Sequence, residues 1–225
     1  MVKKLASLFS GGKDSVYATY MAKNEGYDIV CLISVLSENK ESYMFHTPSI
    51  DKTRKQAEVM DIPLLVQETK GEKEIELEDL KHAIIKAKED YGVEGIITGA
   101  IQSVYQASRV QKICEELDIE AFNPLWQKDE DSYLYELVEN DFNVIIVGVF
   151  AYPFDSTWLL RNIDKKFIEE IRLLNKKYMI HVAGEGGEFE TFVIDCPLYR
   201  RSLKIIDKKI VSEGEYSYRV DIDVE

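Results

Sequence analysis

The sequence is poor in cysteine, in histidine and in positive charge. Its 225 residues include only three cysteines, an odd number spread far apart along the chain, and three histidines. Single distant cysteines form neither a disulfide framework nor a CxxC metal or redox pair, and no HExxH motif is present. We therefore expect no disulfide-stapled fold and no zinc site, and we expect each cysteine to be a small buried residue.

Basic residues are outnumbered by acidic ones. The chain has 28 Lys and Arg against 41 Asp and Glu, a formal net charge of −13. A field of this sign repels polyanions, which argues against general nucleic-acid binding. No apolar run approaches the roughly 20 residues of a membrane span, and the N-terminal run at residues 5–9 is too short for a secretory signal. The sequence predicts a cytoplasmic protein that is not attached to a membrane.

Apolar runs and helical segments alternate through the first 120 residues. Buried strands are predicted at residues 5–9, 29–35, 62–66 and 95–98, and helices at residues 50–60 and 75–91, among others. Such alternation predicts an α/β fold with a doubly wound, mostly parallel sheet, which binds ligands at the carboxyl ends of its strands.

The remainder of the chain has a different character. A buried strand at residues 143–150 and an amphipathic helix near 168–174 are followed, from Phe192 onward, by short β segments. These features predict a smaller C-terminal α+β domain. We place the boundary near Asn123–Pro124, which gives domains of residues 1–124 and 125–225.

The first predicted strand leads into a glycine-containing loop, Ser10–Gly–Gly–Lys–Asp–Ser15. Paired glycines let the backbone approach an anion, and the amides and dipole of the following helix attract it. Lys13 adds a positive charge, and a phosphate is the simplest ligand. The loop is not a Walker A motif, because Asp14 follows the lysine. The alternative is a tight turn in which Asp14 caps the helix and Lys13 is exposed.

Four segments together carry a resemblance to known proteins. SGGKDS after an N-terminal strand resembles the pyrophosphate-binding loop (PP-loop) of the N-type ATP pyrophosphatases. GAIQSVYQASRV at 99–110, NPLW at 123–126 and GEGGEFET at 184–191 then resemble the diphthine–ammonia ligase family, in the family's order and spacing. The resemblance spans nearly the whole chain. Departures from the family pattern occur at Val104, Ala107 and Gln111, and at Leu160, where glycine is usual.

The resemblance implies an adenine nucleotide α-hydrolase-like fold and an ATP-dependent amide ligase. The implied reaction converts diphthine on translation elongation factor 2 to diphthamide through an acyl-adenylate, uses ammonium, and releases AMP and pyrophosphate. Implied catalytic residues are Lys13, Asp14 and Arg109, with Asp14 also near a magnesium ion. Expected nucleotide-binding residues are Ser10, Gly11, Gly12, Lys13, Asp14, Ser15, Ile33, Ser34, His46 and Gly99; Ile33 and Ser34 would offer backbone groups to adenine.

Two further segments are expected to bind substrate. Tyr105, Gln106 and Arg109 follow the strand at 96–98, where Arg109 could reach a phosphate or carboxylate. The second set is Glu185, Gly186, Gly187, Glu188, Glu190 and Thr191, whose carboxylates could hold Mg²⁺, position ammonium or bind the trimethylammonium group of diphthine, together with aromatic faces such as Tyr152, Trp158 or Phe189. The plainer alternatives are a solvated arginine and a glycine-rich surface hairpin.

Two other functions share the SGGKDS loop. A tRNA-modifying adenylating enzyme should show cluster or catalytic cysteines, or a basic face, and this chain has few cysteines and an acidic balance. A non-catalytic ATP-binding module would bind ATP without turning it over. Whether the chain forms a homo-oligomer is open at this level.

Overall fold

The chain divides into two compact units. The computed structural model describes residues 2–37, 50–70 and 75–225. Contacts separate unit 1, Met1–Trp126, from unit 2, Gln127–Glu225. The division falls just after the position near Asn123–Pro124 that the sequence predicts.

Unit 1 is a five-stranded parallel sheet with helices between its strands. Its elements are β1 (Lys4–Leu8), α1 (Lys13–Asn24), β2 (Asp28–Ser37), α2 (Ile50–Met60), β3 (Leu64–Thr69), α3 (Ile75–Tyr91), β4 (Gly95–Ile97), α4 (Val104–Glu116) and β5 (Glu120–Phe122). The strand order is β3–β2–β1–β4–β5, and every pairing is parallel. The strands β2 and β3 are added on one side of β1, and β4 and β5 on the other. This order confirms the doubly wound α/β fold.

The core of unit 1 explains why these segments form strands and helices. Ala6 of β1 and Ile96 of β4 are completely buried in the sheet. On α3 the buried residues Leu80, Ala83, Ile84 and Ala87 recur at helical spacing and pack in the same cluster. Strands covered on both faces need continuous apolar runs, and helices that cover them need one apolar stripe.

Two elements have no clear signal in the sequence. The strand β5 has three residues, none of them fully buried, and α5 (Glu130–Glu139) is a short helix that begins unit 2. A half-exposed edge strand gives little periodic signal, since one face need not be apolar. The N-terminus of α5 is capped by Asp129, whose carboxylate accepts the backbone N–H of Ser132 at 2.9 Å.

Unit 2 combines an antiparallel sheet with helices, as predicted for an α+β domain. After α5 come β6 (Asn143–Val149), a short 3₁₀ helix (Ser156–Trp158), α6 (Lys165–Tyr178), β7 (Phe189–Asp195), β8 (Ile205–Gly214) and β9 (Ser217–Val224). The strand order is β7–β6–β9–β8. The β region begins at Phe189, inside the GEGGEFET segment, rather than at Phe192.

Leu160 adopts a backbone conformation that favours glycine. Its φ is +63°, and its N–H donates to the carbonyl oxygen of Ile146 at 2.8 Å. A side chain in this left-handed region costs about 1–2 kcal/mol. The structure thus gives a physical reason for the glycine that is usual at this position in the family pattern.

Among the described residues, no helix combines the length and apolar character needed to cross a bilayer.

The three cysteines are buried free thiols, as predicted. Cys31 and Cys114 are completely buried and Cys196 nearly so. Burial raises the pKa of each thiol from 9.0 to about 12. The thiolate, which is the reactive form, is therefore scarce in the folded protein at neutral pH.

We expect the native protein to resist a thiol-specific reagent at pH 8, while the denatured chain should react at all three cysteines. Because each thiol pKa is higher in the folded state, the folded chain retains more protons between pH 9 and 12. The free energy of unfolding should fall as pH rises through that window. Urea titrations at several pH values measure this, and a Cys114→Ala variant should show a shallower decline. Rapid labelling of native protein at pH 8 would contradict the burial.

Candidate active site

The strand order of the sheet reverses direction between β1 and β4, and this switch point places two loops side by side. Because β1 and β4 are neighbouring parallel strands, the loop after β1 and the loop after β4 leave the sheet at the same edge, where doubly wound sheets bind ligands. The first of these loops contains Ser10–Gly–Gly–Lys–Asp–Ser15, and the second begins with Thr98 and Gly99.

The SGGKDS loop is preorganised by its serines. Helix α1 begins at Lys13 with Gly12 as N-cap, and in the described chain no side chain caps it. The hydroxyls of Ser10 and Ser15 lie 3.1 Å apart, and Ser15 Oγ also accepts the backbone N–H of Ser10 at 3.2 Å. Asp14 is therefore not the helix cap. A helix N-terminus without a side-chain cap leaves its amides and dipole for an anion.

Lys13 and Asp14 form the charged part of this loop. The Lys13 side chain is only 4% exposed, so the alternative of a solvated lysine is wrong. Its Nζ lies 2.9 Å from both carboxylate oxygens of Asp14, which is itself partly exposed. An incoming phosphate would compete with Asp14 for this ammonium group, because both ligands are anionic.

Gln56 contacts the loop from α2, although it is not among the predicted site residues. Its side chain is completely buried on α2, and Nε2 donates to the carbonyl oxygen of Gly11 at 2.9 Å. Gly11 has a φ of +80°, and a Cβ there would lie 2.1 Å from Gln56 Oε1. A sequence signal for Gln56 does exist, because it is a polar residue among the buried residues of α2. That buried face also includes Thr53, Ala57 and Met60.

Gly99 joins the two loops by close backbone packing. A Cβ at this position would lie 2.8 Å from both the carbonyl carbon of Asp14 and the backbone nitrogen of Ser15. Only a residue without a side chain allows the loop after β4 to approach the start of α1 this closely. The structure thus gives Gly99 a packing role beside the nucleotide-binding role predicted for it.

Two other predicted nucleotide contacts differ from expectation. Strand β2 continues to Ser37, so Ile33 and Ser34 lie inside it rather than at its end. The Ile33 carbonyl accepts the backbone N–H of Phe9 at 2.8 Å, and Ser34 Oγ donates to the Phe9 carbonyl at 2.6 Å. Both residues are buried, and their contact with adenine stays a prediction. His46 lies outside the described residues.

The start of α4 presents an arginine stacked on a tyrosine. Ser103 is the N-cap and accepts the backbone N–H of Gln106 at 3.3 Å. The guanidinium of Arg109 lies 3.3 Å from the centroid of the Tyr105 ring, and Nη1 donates to the Tyr105 carbonyl at 3.2 Å. The buried Nε of Arg109 has no hydrogen-bond partner among the described residues. The side chain of Arg109 is therefore fixed by its contacts with Tyr105 and keeps one buried donor without a partner in the described chain, so it is not a solvated surface arginine.

A Gly99→Ala substitution should damage the junction between the two loops. The added Cβ meets backbone atoms, which cannot rotate away, so we expect a loss of about 1–3 kcal/mol in the free energy of unfolding. Gly214→Ala is the matched control, because its Cβ would meet only the Cβ of Ser217 at 3.7 Å. Urea unfolding measures both, and equal stabilities of the two variants would contradict the proposed packing.

The GEGGEFET segment of unit 2 forms a turn organised by His181 and Glu188. Glu188 Oε1 accepts the backbone N–H of His181 at 2.8 Å, and His181 Nδ1 accepts the backbone N–H groups of Ala183 and Glu185 at 3.2 and 3.3 Å. His181 Nε2 lies 2.7 Å from Glu130 Oε1. A ring nitrogen that accepts backbone donors carries no proton, so the proton of a neutral His181 ring lies on Nε2, the nitrogen beside the Glu130 carboxylate.

The three glutamates of this segment have different surroundings. Glu185 and Glu188 lie in the turn, whereas Glu190 and Thr191 lie in β7. Glu190 Oε2 is 3.7 Å from Nη1 of Arg219, which also lies over the ring of Phe150. The second carboxylate oxygen of Glu188, Oε2, is buried without a hydrogen-bond partner in the described chain. Within the same residues, no group of three His, Cys, Asp or Glu side chains could hold a metal ion. The magnesium role considered for these glutamates stays a prediction.

The glycines of this turn serve its tight geometry. Gly187 has a φ of +80°, and a Cβ on Gly186 would lie 2.6 Å from Glu188 Oε1. Gly186 therefore leaves room for the Glu188 carboxylate to fold back over the turn. This geometry accounts for the two central glycines by backbone conformation and close approach.

The aromatic residues proposed for cation binding differ in exposure. Phe189 is buried against Phe154 and Phe167, and the ring of Trp158 is covered by the guanidinium of Arg161 at 4.1 Å. Tyr152 is 55% exposed. Tyr178 and Tyr216 each stand nearly perpendicular to it, with ring centroids 5.2 Å away. Of the three aromatic residues predicted, Tyr152 is the one that presents a largely exposed ring.

A doubly wound sheet whose switch point holds a glycine loop, a buried lysine and an adjacent carboxylate defines a nucleotide-binding α/β protein with a phosphate loop. The chain belongs to the diphthamide synthase family. The model of the diphthamide synthase N-terminal domain matches residues 3–121, and that of the diphthamide synthase C-terminal domain matches residues 129–222.

Curated relatives carry one name, diphthine–ammonia ligase. The protein from Mus musculus is 33% identical over 229 residues, with 92% of this chain and 85% of the relative covered. That from Homo sapiens is 33% identical over 226 residues, with the same two coverages. The Saccharomyces cerevisiae protein is 28% identical over 246 residues; the match covers 94% of this chain and 36% of that relative.

Two solved structures resemble the chain weakly. A predicted subunit of tRNA methyltransferase from Methanocaldococcus jannaschii shares 18% identity with a TM-score of 0.40, and the match covers 78% of this chain and 88% of that one. The U34-tRNA thiolase NcsA from Methanococcus maripaludis shares 16% identity with a TM-score of 0.39, at coverages of 78% and 67%. At these scores the resemblance adds nothing to the assignment of function.

Proposed function

We propose that the protein catalyses ATP-dependent amidation of diphthine on translation elongation factor 2. Ammonium supplies the nitrogen, and the products are diphthamide, AMP and pyrophosphate. In this scheme the substrate carboxylate attacks the α-phosphate of ATP, pyrophosphate leaves, and ammonia displaces AMP from the acyl-adenylate. The observation that carries the proposal is the preorganised loop with its buried Lys13, in a chain whose relatives are named diphthine–ammonia ligases.

The β- and γ-phosphates of ATP fit the loop at Ser10–Ser15. The N-terminus of α1 supplies amides and a favourable dipole, and Lys13 supplies a positive charge that is already desolvated. Charge that develops on the leaving pyrophosphate would be stabilised by these fixed groups, the kind of effect that dominates such catalysis. Arg109, with its unused Nε donor, is the second cationic group that we assign to the reaction.

A magnesium ion fits this loop through Asp14. Mg²⁺ keeps several waters and is held by one or two carboxylates together with substrate phosphates. Asp14 offers one partly exposed carboxylate beside the phosphate loop, which suits this type of coordination. When bound, the ion would neutralise charge on the phosphate oxygens.

We assign recognition of the diphthine side chain and of ammonium to unit 2. The buried Glu188 Oε2 has no hydrogen-bond partner among the described residues, and a cationic donor would satisfy it. The exposed ring of Tyr152 suits a trimethylammonium group, which binds to aromatic faces. A hydrogen bond to Lys177 lowers the pKa of Tyr178. A hydrogen bond to Tyr178 raises the pKa of Tyr152. Glu185, Glu190 and Thr191 of unit 2, and Tyr105 and Gln106 of unit 1, remain proposed substrate contacts.

Activity of the phosphate loop is tested with Lys13→Ala and Asp14→Asn. Protein, ATP, ammonium and diphthine-bearing elongation factor 2 are incubated, and AMP, pyrophosphate and the mass change from hydroxyl to amide are measured. Loss of the fixed charge should reduce kcat by about 10²–10³-fold. Lys86→Ala, which removes an exposed lysine of α3, is the control and should retain full activity.

The same assay separates the other functions. Full amidation by Lys13→Ala would contradict the role of the loop. AMP and pyrophosphate formation on a tRNA but not on elongation factor 2 would favour a tRNA-modifying enzyme. Tight ATP binding without AMP release under any condition would indicate a non-catalytic module.

Cation recognition by Tyr152 is tested with Tyr152→Leu and Tyr152→Phe. A cation–π contact contributes about 0.5–2 kcal/mol, so the leucine variant should raise KM for the elongation factor by about two- to thirty-fold with little change in kcat. The phenylalanine variant keeps the ring and should retain most of the affinity. Equal KM values for wild type and Tyr152→Leu would exclude this contact.

A further inference from the structure

We infer that Gln56 is a positioning residue of the phosphate loop, which holds the Gly11–Gly12 peptide so that the Gly12 N–H faces the anion. The inference rests on the proposed function, because it requires that the loop bind phosphate.

The contact is long-range in sequence and fully enclosed. Gln56 is completely buried on α2, and 45 residues separate it from Gly11, whose carbonyl oxygen accepts Nε2–H at 2.9 Å. A polar amide on the buried stripe of a helix has a desolvation cost, which hydrogen bonding must offset. A methionine would fill similar space without that cost, so the amide calls for a reason other than packing.

Peptide geometry supplies the reason. In a trans peptide the carbonyl and the N–H of the next residue point in opposite directions. The carbonyl of Gly11 points inward to Gln56, and the N–H of Gly12 donates to Ser10 Oγ at 3.3 Å on the exposed side of the loop. Gln56 thus fixes which end of the peptide dipole faces outward, and the outward end is the donor that a phosphate needs.

Gly11 allows this peptide orientation, but it also allows others, so the orientation needs a contact that stabilises it. Its φ of +80° is open to glycine, and the absent Cβ leaves the space that Gln56 Oε1 occupies. Glycine also lowers the barrier to other backbone conformations, including one that turns the carbonyl outward. An outward carbonyl would repel phosphate, so a fixed inward contact favours anion binding.

The test measures ligand affinity rather than turnover. Calorimetry gives the Kd of pyrophosphate, ATP and adenosine for wild type, Gln56→Met and Gln56→Glu. Methionine removes the donor and keeps the length; glutamate places a carboxylate against the Gly11 carbonyl. We expect pyrophosphate and ATP to bind about ten-fold or more weakly in both variants, and adenosine, which lacks phosphate, to bind unchanged.

Thr53→Val is the matched control. It removes a completely buried polar group from the same helix, so it reports general damage to α2. Its ratio of pyrophosphate to adenosine affinity should equal that of wild type. A ratio lowered as far as in Gln56→Met would assign the effect to helix packing and overturn the inference.

A measurement on the wild-type protein does not depend on how the variants fold. In a ¹⁵N-labelled sample, pyrophosphate should move the Gly12 amide proton strongly downfield. If other amides of the loop respond and that of Gly12 does not, the inference is wrong although the phosphate site stands. If wild type binds neither pyrophosphate nor ATP, the proposed function fails and the inference with it.

Discussion

In unit 1, the strands β1 and β4 are neighbours although the described chain between them forms two further strands and three helices. This adjacency is the constraint on which the candidate active site depends, because it brings the loop after each strand to one point of the sheet edge. The contact that completes it is backbone against backbone: Gly99 lies against the carbonyl carbon of Asp14 and the nitrogen of Ser15. Since no side chain intervenes, the position of α1 relative to β4 has little freedom, and the amides at its N-terminus are fixed before any ligand arrives.

Around this point the structure buries polar groups where apolar side chains would have no desolvation cost. Lys13 and Gln56 are nearly or completely buried, and the hydroxyls of Ser7 and Thr19 pair at 2.7 Å beneath the loop. Each such group has a desolvation cost that its hydrogen bonds only offset. Their concentration below one loop indicates a region shaped for a ligand rather than for maximal stability.

Local patterns in the sequence were sufficient for much of the fold. The predicted bounds of α2 and α3 agree with the structure residue for residue, because an apolar stripe of helical period and clear ends define them. The strand β5 was missed because one exposed and two half-buried residues carry no periodicity. Gln56 was missed for a different reason: its partner, Gly11, lies 45 residues away, and single-sequence patterns report neighbours along the chain, not across it. The same limit applies to Ile33 and Ser34, whose places inside the strand depend on pairing with β1 and β3.

The contacts of individual glutamates show which part of the chain's acidity is available to a ligand. Glutamates in GEGGEFET suggest a dense anionic cluster, but Glu190 has Arg219 as a counter-ion and Glu188 gives one oxygen to the backbone of His181. In the described chain, the buried glutamate oxygen of this segment that lacks a hydrogen-bond partner is Glu188 Oε2. A lone buried acceptor discriminates between ligands better than a diffuse negative field does, because it rewards a donor at one position and penalises every ligand that lacks one there. Recognition of a cation in unit 2 would therefore depend on the placement of this carboxylate by the His181 backbone, and only weakly on the net charge of the chain.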